Sequence, residues 1–237
     1  MDAARAQSVT LRVVETLGRS IVGQDDDLAQ ASYSDADLTR RFGASRSVTR
    51  EAVKMLVAKG LLETRPRRSA SVQPEGAWNL YDRDVLRWLL ERRFSLKRLR
   101  ELTEIRLAVE PRGAAMAARH ADEAARQAIQ AALERMCAAE RGHGDLLEAD
   151  IAFHVSVLKA TGNPFYAQFD GVLETALRIS IRFSNAHRHA RDQAVERHSR
   201  LADAILARDP EGAAQAMTDL LSAVITLIEA TEASARS

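Results

Sequence analysis

The sequence predicts a mostly α protein with two parts, an N-terminal winged helix-turn-helix with a small β-hairpin wing and an all-α C-terminal helical bundle. The 237 residues are rich in Ala, Leu, Glu and Arg and only 5% aromatic, which favours helix. Two short helical patterns are joined by a tight turn between residues 34 and 59, and no strand pattern follows residue 73. We expect the winged helix at 1–74, a linker and connecting helix at 75–93 and the helical domain at 94–237.

A first helix is predicted at about 5–20, where apolar residues recur at helical spacing. The helix-turn-helix follows. Gly43 stands where its turn needs a residue tolerant of positive φ, and Ser34 and Ser45 are placed to cap the two helices. The apolar residues of both helices predict one buried face; they are Leu38, Phe42, Val48, Ala52, Val53, Leu56 and Val57. Arg46, Arg50 and Lys54 then lie on the opposite face.

A two-stranded wing is predicted after the second helix. Residues 60–64 end that helix and begin one strand, 66–69 form a turn, and 70–72 return. Arg67 and Arg68 stand at the tip, where they suit a phosphate backbone or a minor groove.

Charge is concentrated in this region. Residues 40–68 contain nine Lys or Arg against two acids, Glu51 and Glu63, although the whole chain carries only +1. A solvated basic face without a partner is the simplest explanation of a charge run, but its coincidence with a helix-turn-helix favours double-stranded DNA. Arg46 and Arg50 are predicted to read bases, since arginine can bind guanine through two hydrogen bonds. Lys54, Arg67 and Arg68 are assigned to phosphates, and the alternative for Arg50 is a surface pair with Glu51 or Glu63.

Beyond the boundary at 74–76 the pattern predicts helix after helix. They are expected at about 84–92, 95–119, 122–140, 144–160, 164–187, 191–208 and 210–232. Pro111 lies inside the long second helix and should kink it, because proline lacks the amide donor. Pro164 and Pro210 fall in first turns, where proline is tolerated.

The remaining composition indicates a cytoplasmic protein without a membrane partner. No apolar run reaches the length of a membrane span, and the N-terminus lacks the pattern of a signal peptide. The single cysteine, Cys137, excludes an internal disulfide framework and fits a reducing compartment.

The sequence resembles the GntR superfamily of bacterial transcription regulators, in its FadR-type branch with the FCD effector domain. The matching segments are DLTRRFGASRSVTREAVKMLVAKGLLE in the winged helix, and EIRLAVEP, ADIAFHVSVLKATGNP and ERHSRLADAILARDPEGA in the helical part. The resemblance implies a homodimer that represses transcription and leaves its operator when a small carboxylate binds, here a sugar acid such as galactonate. It also implies DNA contacts at Ser45, Arg46, Ser47, Thr49 and Arg50. Two departures, Ser32-Tyr33-Ser34-Asp35 for the usual Leu-Pro-Ser-Glu and Ser69 for the usual wing glycine, put the wing's operator contacts in doubt.

A pocket is expected in the helical domain. Asp150 and His154 are four residues apart and so share a helix face, and His198 lies on a later helix. Such a set suits one divalent metal of the zinc or nickel type, but the spacing alone is common. The resemblance strengthens the prediction of a metal site, because metal-binding members of the family use an aspartate and three histidines. The fourth position falls at Leu220, so water or the effector would complete the shell. The rival interpretation is a metal-free pocket in which the same three residues hydrogen-bond the ligand.

An acidic effector also needs a cation. Arg106 is predicted to grip its carboxylate, and Arg178 to close the pocket; the alternatives are an Arg106–Glu110 helix pair and a surface Arg178. The same residues allow two other functions. A hydrolytic enzyme at Asp150, His154 and His198 explains neither the basic helix-turn-helix nor the lack of a further acid–base pair, so no enzyme is predicted. A DNA-binding dimer whose helical domain senses nothing is the alternative that Leu220 leaves open.

Overall fold

The computed structural model describes residues 2–24, 32–65, 69–185 and 194–234. The chain divides between Phe94 and Ser95 into two compact units, Met1–Phe94 and Ser95–Ser237. Each unit has its own core, and each is described by itself.

The first unit is a winged helix-turn-helix. Its helices are α1 (Asp2–Gly23), α2 (Asp35–Phe42), α3 (Arg46–Ala58) and α4 (Arg83–Arg92), and its strands are β1 (Ser32–Tyr33), β2 (Leu62–Glu63) and β3 (Ala70–Val72). A 3₁₀ turn, Glu75–Ala77, precedes α4. This confirms the predicted fold class for the N-terminal part.

The wing differs from the predicted hairpin in having a third strand. The sheet is antiparallel with the order β1-β3-β2, and Ser32 and Tyr33 pair with Ser71 and Ala70. A strand of two residues is too short to show an alternating apolar and polar pattern, so the sequence did not predict β1. Tyr33, which is 1% exposed, is held in the core by this pairing.

The helix-turn-helix has the predicted local chemistry. The amide of Asp37 donates to Ser34 Oγ at 3.1 Å, which caps α2, and the amide of Val48 donates to Ser45 Oγ at 3.4 Å, which caps α3. Gly43 has φ 57°, in the left-handed region that glycine adopts without strain. The turn between the two helices is therefore fixed by its sequence.

Helix α4 belongs to the core of the first unit, although residues 75–93 were predicted as linker and connecting helix. Val85, Trp88 and Leu89 belong to one core cluster with apolar residues of α1 and α3, α4 packs against α1, and Trp88 is fully buried. A Cβ on Gly18 would stand 2.3 Å from the Trp88 ring, so only glycine allows this approach of α1 to α4. The long apolar side chains of α4 thus find their partners in the N-terminal unit.

The second unit contains helices and no strand in the residues that the structure describes. Its helices are α5 (Leu96–His120), α6 (Glu123–Glu140), α7 (Leu146–Lys159), α8 (Pro164–Ala167), α9 (Asp170–Asn185), α10 (Ala194–Leu206) and α11 (Pro210–Ser234). The single helix predicted at 164–187 is in fact two, α8 and α9. Pro111 lies inside α5, which continues as one helix past it.

The bundle core is built mainly from small side chains of α5 and larger ones of its neighbours. Ala114, Ala117 and Ala118 let α5 approach other helices closely, and Phe153 of α7 fills the centre. Helix α5 packs most extensively against α11.

By length and composition α11 could cross a membrane, with a mean hydropathy of 1.3 over its apolar window. Core helices have the same composition, and α11 supplies Ala213, Met217 and Leu221 to the bundle core.

Candidate DNA-binding helix and effector cavity

Helix α3 presents a polar and basic face to solvent. Ser45, Arg46, Ser47, Arg50 and Lys54 are exposed, as predicted for a surface that meets DNA. Lys54 Nζ lies 3.3 Å from Glu51 Oε2, a pair with both side chains more than half exposed. Such an exposed pair contributes little to stability, so Lys54 can exchange Glu51 for a phosphate at little cost.

Arg50 has a partner that the sequence did not suggest. Its Nε donates to Asp35 Oδ2 of α2 at 2.8 Å, instead of pairing with Glu51 or Glu63. Asp35, the first residue of α2, is one of the residues that depart from the family pattern. The contact joins the two helices of the motif and orients the guanidinium on the exposed face.

Thr49 does not belong to that face, which corrects the sequence prediction. Its side chain is fully buried, and its hydroxyl donates to the main-chain oxygens of Ser45 and Arg46. One residue along a helix is a rotation of about 100°, which here turns Thr49 inward while Arg50 stays exposed. Arg67 and Arg68, predicted at the wing tip, lie outside the described residues.

A cavity of about 70 Å³ lies within the second unit between α5, α7, α9, α10 and α11. Its polar lining residues are Arg106, Asp150, His154, Ser180, Ser184, Arg197 and His198. Its apolar lining residues are Leu177, Ile181, Ala194, Leu220, Ala223, Val224 and Leu227. The structure thus brings together Arg106, Asp150, His154 and His198, as the sequence predicted, with Leu220 beside them.

Asp150, His154 and His198 form a compact buried triangle. His154 Nε2 lies 3.5 Å from Asp150 Oδ1, His198 Nε2 lies 3.4 Å from the same oxygen, and the two Nε2 atoms are 3.3 Å apart. Asp150 Oδ1 is buried and makes no hydrogen bond to any residue that the structure describes. A buried carboxylate oxygen without a hydrogen bond is energetically costly, which indicates that a bound group interacts with it.

The hydrogen bonds of the two imidazoles fix their tautomers. His154 Nδ1 is 2.7 Å from Glu110 Oε2, and His198 Nδ1 is 2.7 Å from the carbonyl oxygen of Ala194. A carboxylate and a carbonyl only accept, so both Nδ1 atoms carry the proton. In the neutral rings both Nε2 lone pairs then point into the triangle, together with the Asp150 oxygen.

Three converging lone pairs need a positive centre, and the donor set fits a divalent metal. Ligands bound at 2.0–2.1 Å in a tetrahedron lie about 3.3–3.4 Å apart, close to the observed separations of 3.3–3.5 Å. The Glu110–His154 contact is the outer-shell hydrogen bond that metal-bound histidines usually make. A proton on His198 is the alternative positive centre. Burial lowers the pKa of His198, but Asp150 outweighs that effect and raises it overall.

Glu110 joins Arg106 to this triangle. Arg106 Nε donates to Glu110 Oε1 at 2.5 Å, and Arg106 Nη1 donates to Ser180 Oγ at 3.3 Å. Burial raises the pKa of Glu110, but the charges and hydrogen bonds of Arg106 and His154 outweigh it and hold the pKa at about 2. Burial likewise raises the pKa of Asp150, while His198 brings it below its usual value. Arg106 therefore both lines the cavity and forms the helix pair that was its alternative.

Arg178 does not close the cavity, which corrects the second arginine prediction. Its guanidinium pairs with Glu148 of α7 and, at 3.0 Å, with Glu174 of α9. Arg178 is absent from the lining residues. The cavity uses other positions of α9, Leu177, Ser180, Ile181 and Ser184, so the face that carries Arg178 points elsewhere.

Sequence reasoning missed three polar groups of the cavity, Ser180, Ser184 and Arg197, and the bond from Glu110 to His154. The spacing of Ser180 and Ser184, four residues apart, was a readable signal for a shared face. Arg197 directly precedes His198, so helical spacing alone did not predict that both side chains would line one cavity. The Glu110–His154 contact joins two residues that are 44 positions apart on different helices, so no local pattern in the sequence predicted it.

Comparison with known proteins gives the class to which this fold and cavity belong. The FCD domain family matches residues 101–223, more than half of the chain. The chain therefore belongs to the FCD-domain branch of the GntR-type transcriptional regulators.

Individual relatives agree over nearly the whole length. The galactonate operon transcriptional repressor of Escherichia coli strain K12 is 33% identical over 214 residues, which cover 90% of this chain and 93% of that protein. The Glc operon transcriptional activator of the same strain is 26% identical, with 87% and 84% covered. Among solved structures, Lar, which controls expression of the Listeria monocytogenes agr system, has a TM-score of 0.61 at 16% identity, with 93% and 96% covered. The last likeness concerns the fold alone.

Proposed function

We propose that this regulator binds operator DNA as a homodimer and represses transcription until a small carboxylate occupies the cavity of its helical unit. The observation that carries the proposal is the buried triangle of Asp150, His154 and His198, with an unsatisfied carboxylate oxygen facing a cavity. If the helical unit no longer bound an effector, we would expect this carboxylate oxygen to be hydrogen-bonded within the protein, or Asp150 to be replaced by another residue.

The DNA-binding part of the proposal rests on α3. Arg46 and Arg50 read base edges in the major groove, Ser45 and Ser47 assist near the helix N-terminus, and Lys54 contacts phosphate. Arg67 and Arg68 of the wing tip are assigned to phosphate on the sequence alone. Thr49 takes no part, because it is buried.

The effector is a small acid held at the polar end of the cavity. Arg106, already oriented by Glu110 and Ser180, faces the acid, and Asp150, His154 and His198 meet its oxygens directly or through one bound divalent metal. Such an ion, zinc or nickel in type, would attract the carboxylate and hydroxyl oxygens of the acid. Galactonate, a sugar acid, is the first compound to test, because a relative with 33% identity is named for the galactonate operon.

In a homodimer, binding of the acid can control binding to DNA. Two winged helices must match two half-sites on the duplex, and a ligand that favours another spacing between them weakens that match. Helix α11 supports a dimer, since only 22% of its apolar window is buried within one chain. A protein of this kind acts in the cytoplasm, where the DNA is.

The test is an operator gel shift. Selection from random duplex DNA identifies the operator, and the shifted complex is then titrated with galactonate, other sugar acids and shorter hydroxy acids, with and without a chelator. We expect one acid to release the operator and its effect to weaken after chelation.

Each other outcome removes one part of the proposal. Unchanged release after chelation would eliminate the metal and leave the metal-free pocket. Release by no acid would favour the alternative of a DNA-binding dimer that senses no effector. Failure to select any DNA sequence would contradict the regulator itself.

A further inference from the structure

We infer that Asp35, the first residue of α2, is a positioning residue that holds Arg50 of α3 ready to recognise one guanine in each operator half-site. This inference rests on the proposed function, since it concerns the same DNA-binding helix. It assigns to Asp35 an effect on sequence preference, which its own negative charge beside the phosphates cannot supply.

Asp35 and Arg50 form an ion pair between the two helices of the motif. Arg50 Nε donates to Asp35 Oδ2 at 2.8 Å across 15 positions of sequence, while 67% of the Arg50 side chain stays exposed. Arg46, one turn earlier on α3, forms no ion pair with any residue in the described part of the chain. The two arginines predicted to read bases therefore differ, because Arg50 is already oriented before DNA binds.

The start of α2 holds the Asp35 carboxylate in place. The side chain of Ser34 caps this helix, and the Thr39 hydroxyl donates to the main-chain oxygen of Asp35 at 2.7 Å. Leu38, which is 1% exposed, lies in one core cluster with apolar residues of α3. Aspartate has two side-chain dihedral angles, so a fixed main chain leaves its carboxylate few positions.

The hydrogen bond at Nε determines which edge of Arg50 can meet a base. An arginine side chain has one N–H on Nε and two on each Nη, all in one plane. Guanine O6 and N7 can accept from Nε and one Nη, or from the two Nη groups. Because Asp35 occupies Nε, Arg50 presents its two Nη groups side by side in a rigid plane.

The Asp35 carboxylate has two effects of opposite sign on DNA binding. Its charge repels the phosphates of every duplex, but both side chains of the pair are exposed, so screening keeps this effect small. Holding Arg50 in the bound orientation reduces the side-chain entropy lost on binding, and this gain exists only where a guanine meets Arg50. Asp35 therefore lowers general affinity slightly and raises the preference for the operator.

The experiment measures, by fluorescence anisotropy at one salt concentration, how tightly the full chain binds the selected operator and an unrelated duplex. The variants are Asp35→Asn, which keeps the shape without the charge, Asp35→Glu, which keeps the charge, and Arg50→Ala, alone and combined with Asp35→Asn. The control is Glu51→Gln, which removes an exposed carboxylate of α3 beside Lys54. Operators in which single guanines are replaced by 7-deazaguanine, which lacks the N7 acceptor, locate the base that is read.

We expect Asp35→Asn to lose about threefold to tenfold of the preference for operator over unrelated DNA, the cost of ordering one long side chain. Its affinity for unrelated DNA should stay equal or rise less than about twofold, as in Glu51→Gln. Asp35→Glu should keep more of the preference than Asp35→Asn. Thermal unfolding should be alike in all variants, since the substituted positions are exposed.

The modified operators should show the same dependence at one guanine of each half-site. There 7-deazaguanine should weaken binding of the wild type at least about threefold, as for loss of one hydrogen bond to a charged donor. The penalty should shrink in Asp35→Asn and vanish in Arg50→Ala. A merely structural or electrostatic role of Asp35 would leave it unchanged.

Four results would overturn the inference. They are an unchanged preference in Asp35→Asn, equal losses for operator and unrelated DNA, the same loss of preference in Glu51→Gln, and a further loss when Asp35→Asn is added to Arg50→Ala. In each case the wild type still selects its operator, so the proposed function stands. If the wild type binds no DNA sequence selectively, the inference and the proposed function fail together.

Discussion

Glu110 shows how much a single buried carboxylate organises in this protein. It is fully buried and binds Arg106 through one oxygen and His154 through the other. It thereby neutralises a buried guanidinium and sets the tautomer of a histidine in the triangle. Breaking a buried pair on one side leaves the other charge uncompensated, which costs more than the pair contributes when intact.

Glu110→Gln should lower the free energy of unfolding by about 3 kcal/mol at neutral pH, because the Arg106 charge stays buried without its counter-ion. Its zinc affinity should fall at least about tenfold, since His154 loses its outer-shell partner. Urea denaturation and zinc calorimetry measure the two effects. Glu104→Gln, at an exposed position of the same helix, is the matched control. Equal stability of the two variants would contradict the role given to Glu110.

The pH dependence has a defined sign. The pKa of Glu110 is lowered in the folded protein from 4.5 to about 2, so its ionised form favours folding. This contribution is present above about pH 4.5 and is lost as the pH falls towards 2. Wild-type stability measured across this range should therefore decline more steeply than that of Glu110→Gln. Parallel curves would exclude Glu110 as the source.

At the scale of elements, α3 and its C-cap carry two lysines in different environments. Lys54 is exposed beside Glu51, whereas Lys59, the C-cap residue, is 9% exposed and lies 2.8 Å from both Asp82 and Asp84 at the start of α4. Burial lowers the pKa of Lys59, but the hydrogen bonds from these two carboxylates raise it overall. Lys59 therefore joins the end of α3 to α4, and Lys54 is exposed beside Glu51.

Replacing each lysine by methionine separates the two roles. Lys59→Met should destabilise the N-terminal unit by about 2 kcal/mol, because Asp82 loses its cation in a partly buried place. Lys54→Met should change stability by less than about 0.5 kcal/mol, as expected for an exposed pair. Thermal and urea unfolding give both values. A larger loss of stability in Lys54→Met than in Lys59→Met would reverse this assignment.

At the scale of the whole molecule, the proposed dimer doubles every contact with DNA. Each phosphate contact contributes about 0.9 to the slope of log affinity against log salt concentration. Contacts to base edges add sequence preference in addition to this slope. Salt titrations therefore report both the kind of contact and the number of copies that make it.

Lys54→Ala should lower the magnitude of that slope by about 1.8, two contacts of about 0.9 each, with operator preference retained. Arg46→Ala should instead lose at least about tenfold of the preference for operator over unrelated DNA. Fluorescence anisotropy on both duplexes at several salt concentrations measures these quantities. A slope change near 0.9 would indicate that one copy binds alone. Unchanged operator affinity in both variants would remove α3 from the interface.

The amino-acid sequence by itself determined the fold class, the caps and turn of the helix-turn-helix, the family and the grouping of Asp150, His154 and His198. These features depend on local chemistry, helical period or quoted motifs, all of which can be read along the chain. Only the tertiary structure decided that Thr49 is buried, that Arg178 pairs away from the cavity, that Glu110 joins Arg106 to His154, and that Arg197 faces the same cavity. Helical period tells which residues share a face, but the helix that covers that face is chosen by packing between distant segments. The sequence therefore identified the kind of regulator, and the packing of its helices determined which side chains line the cavity.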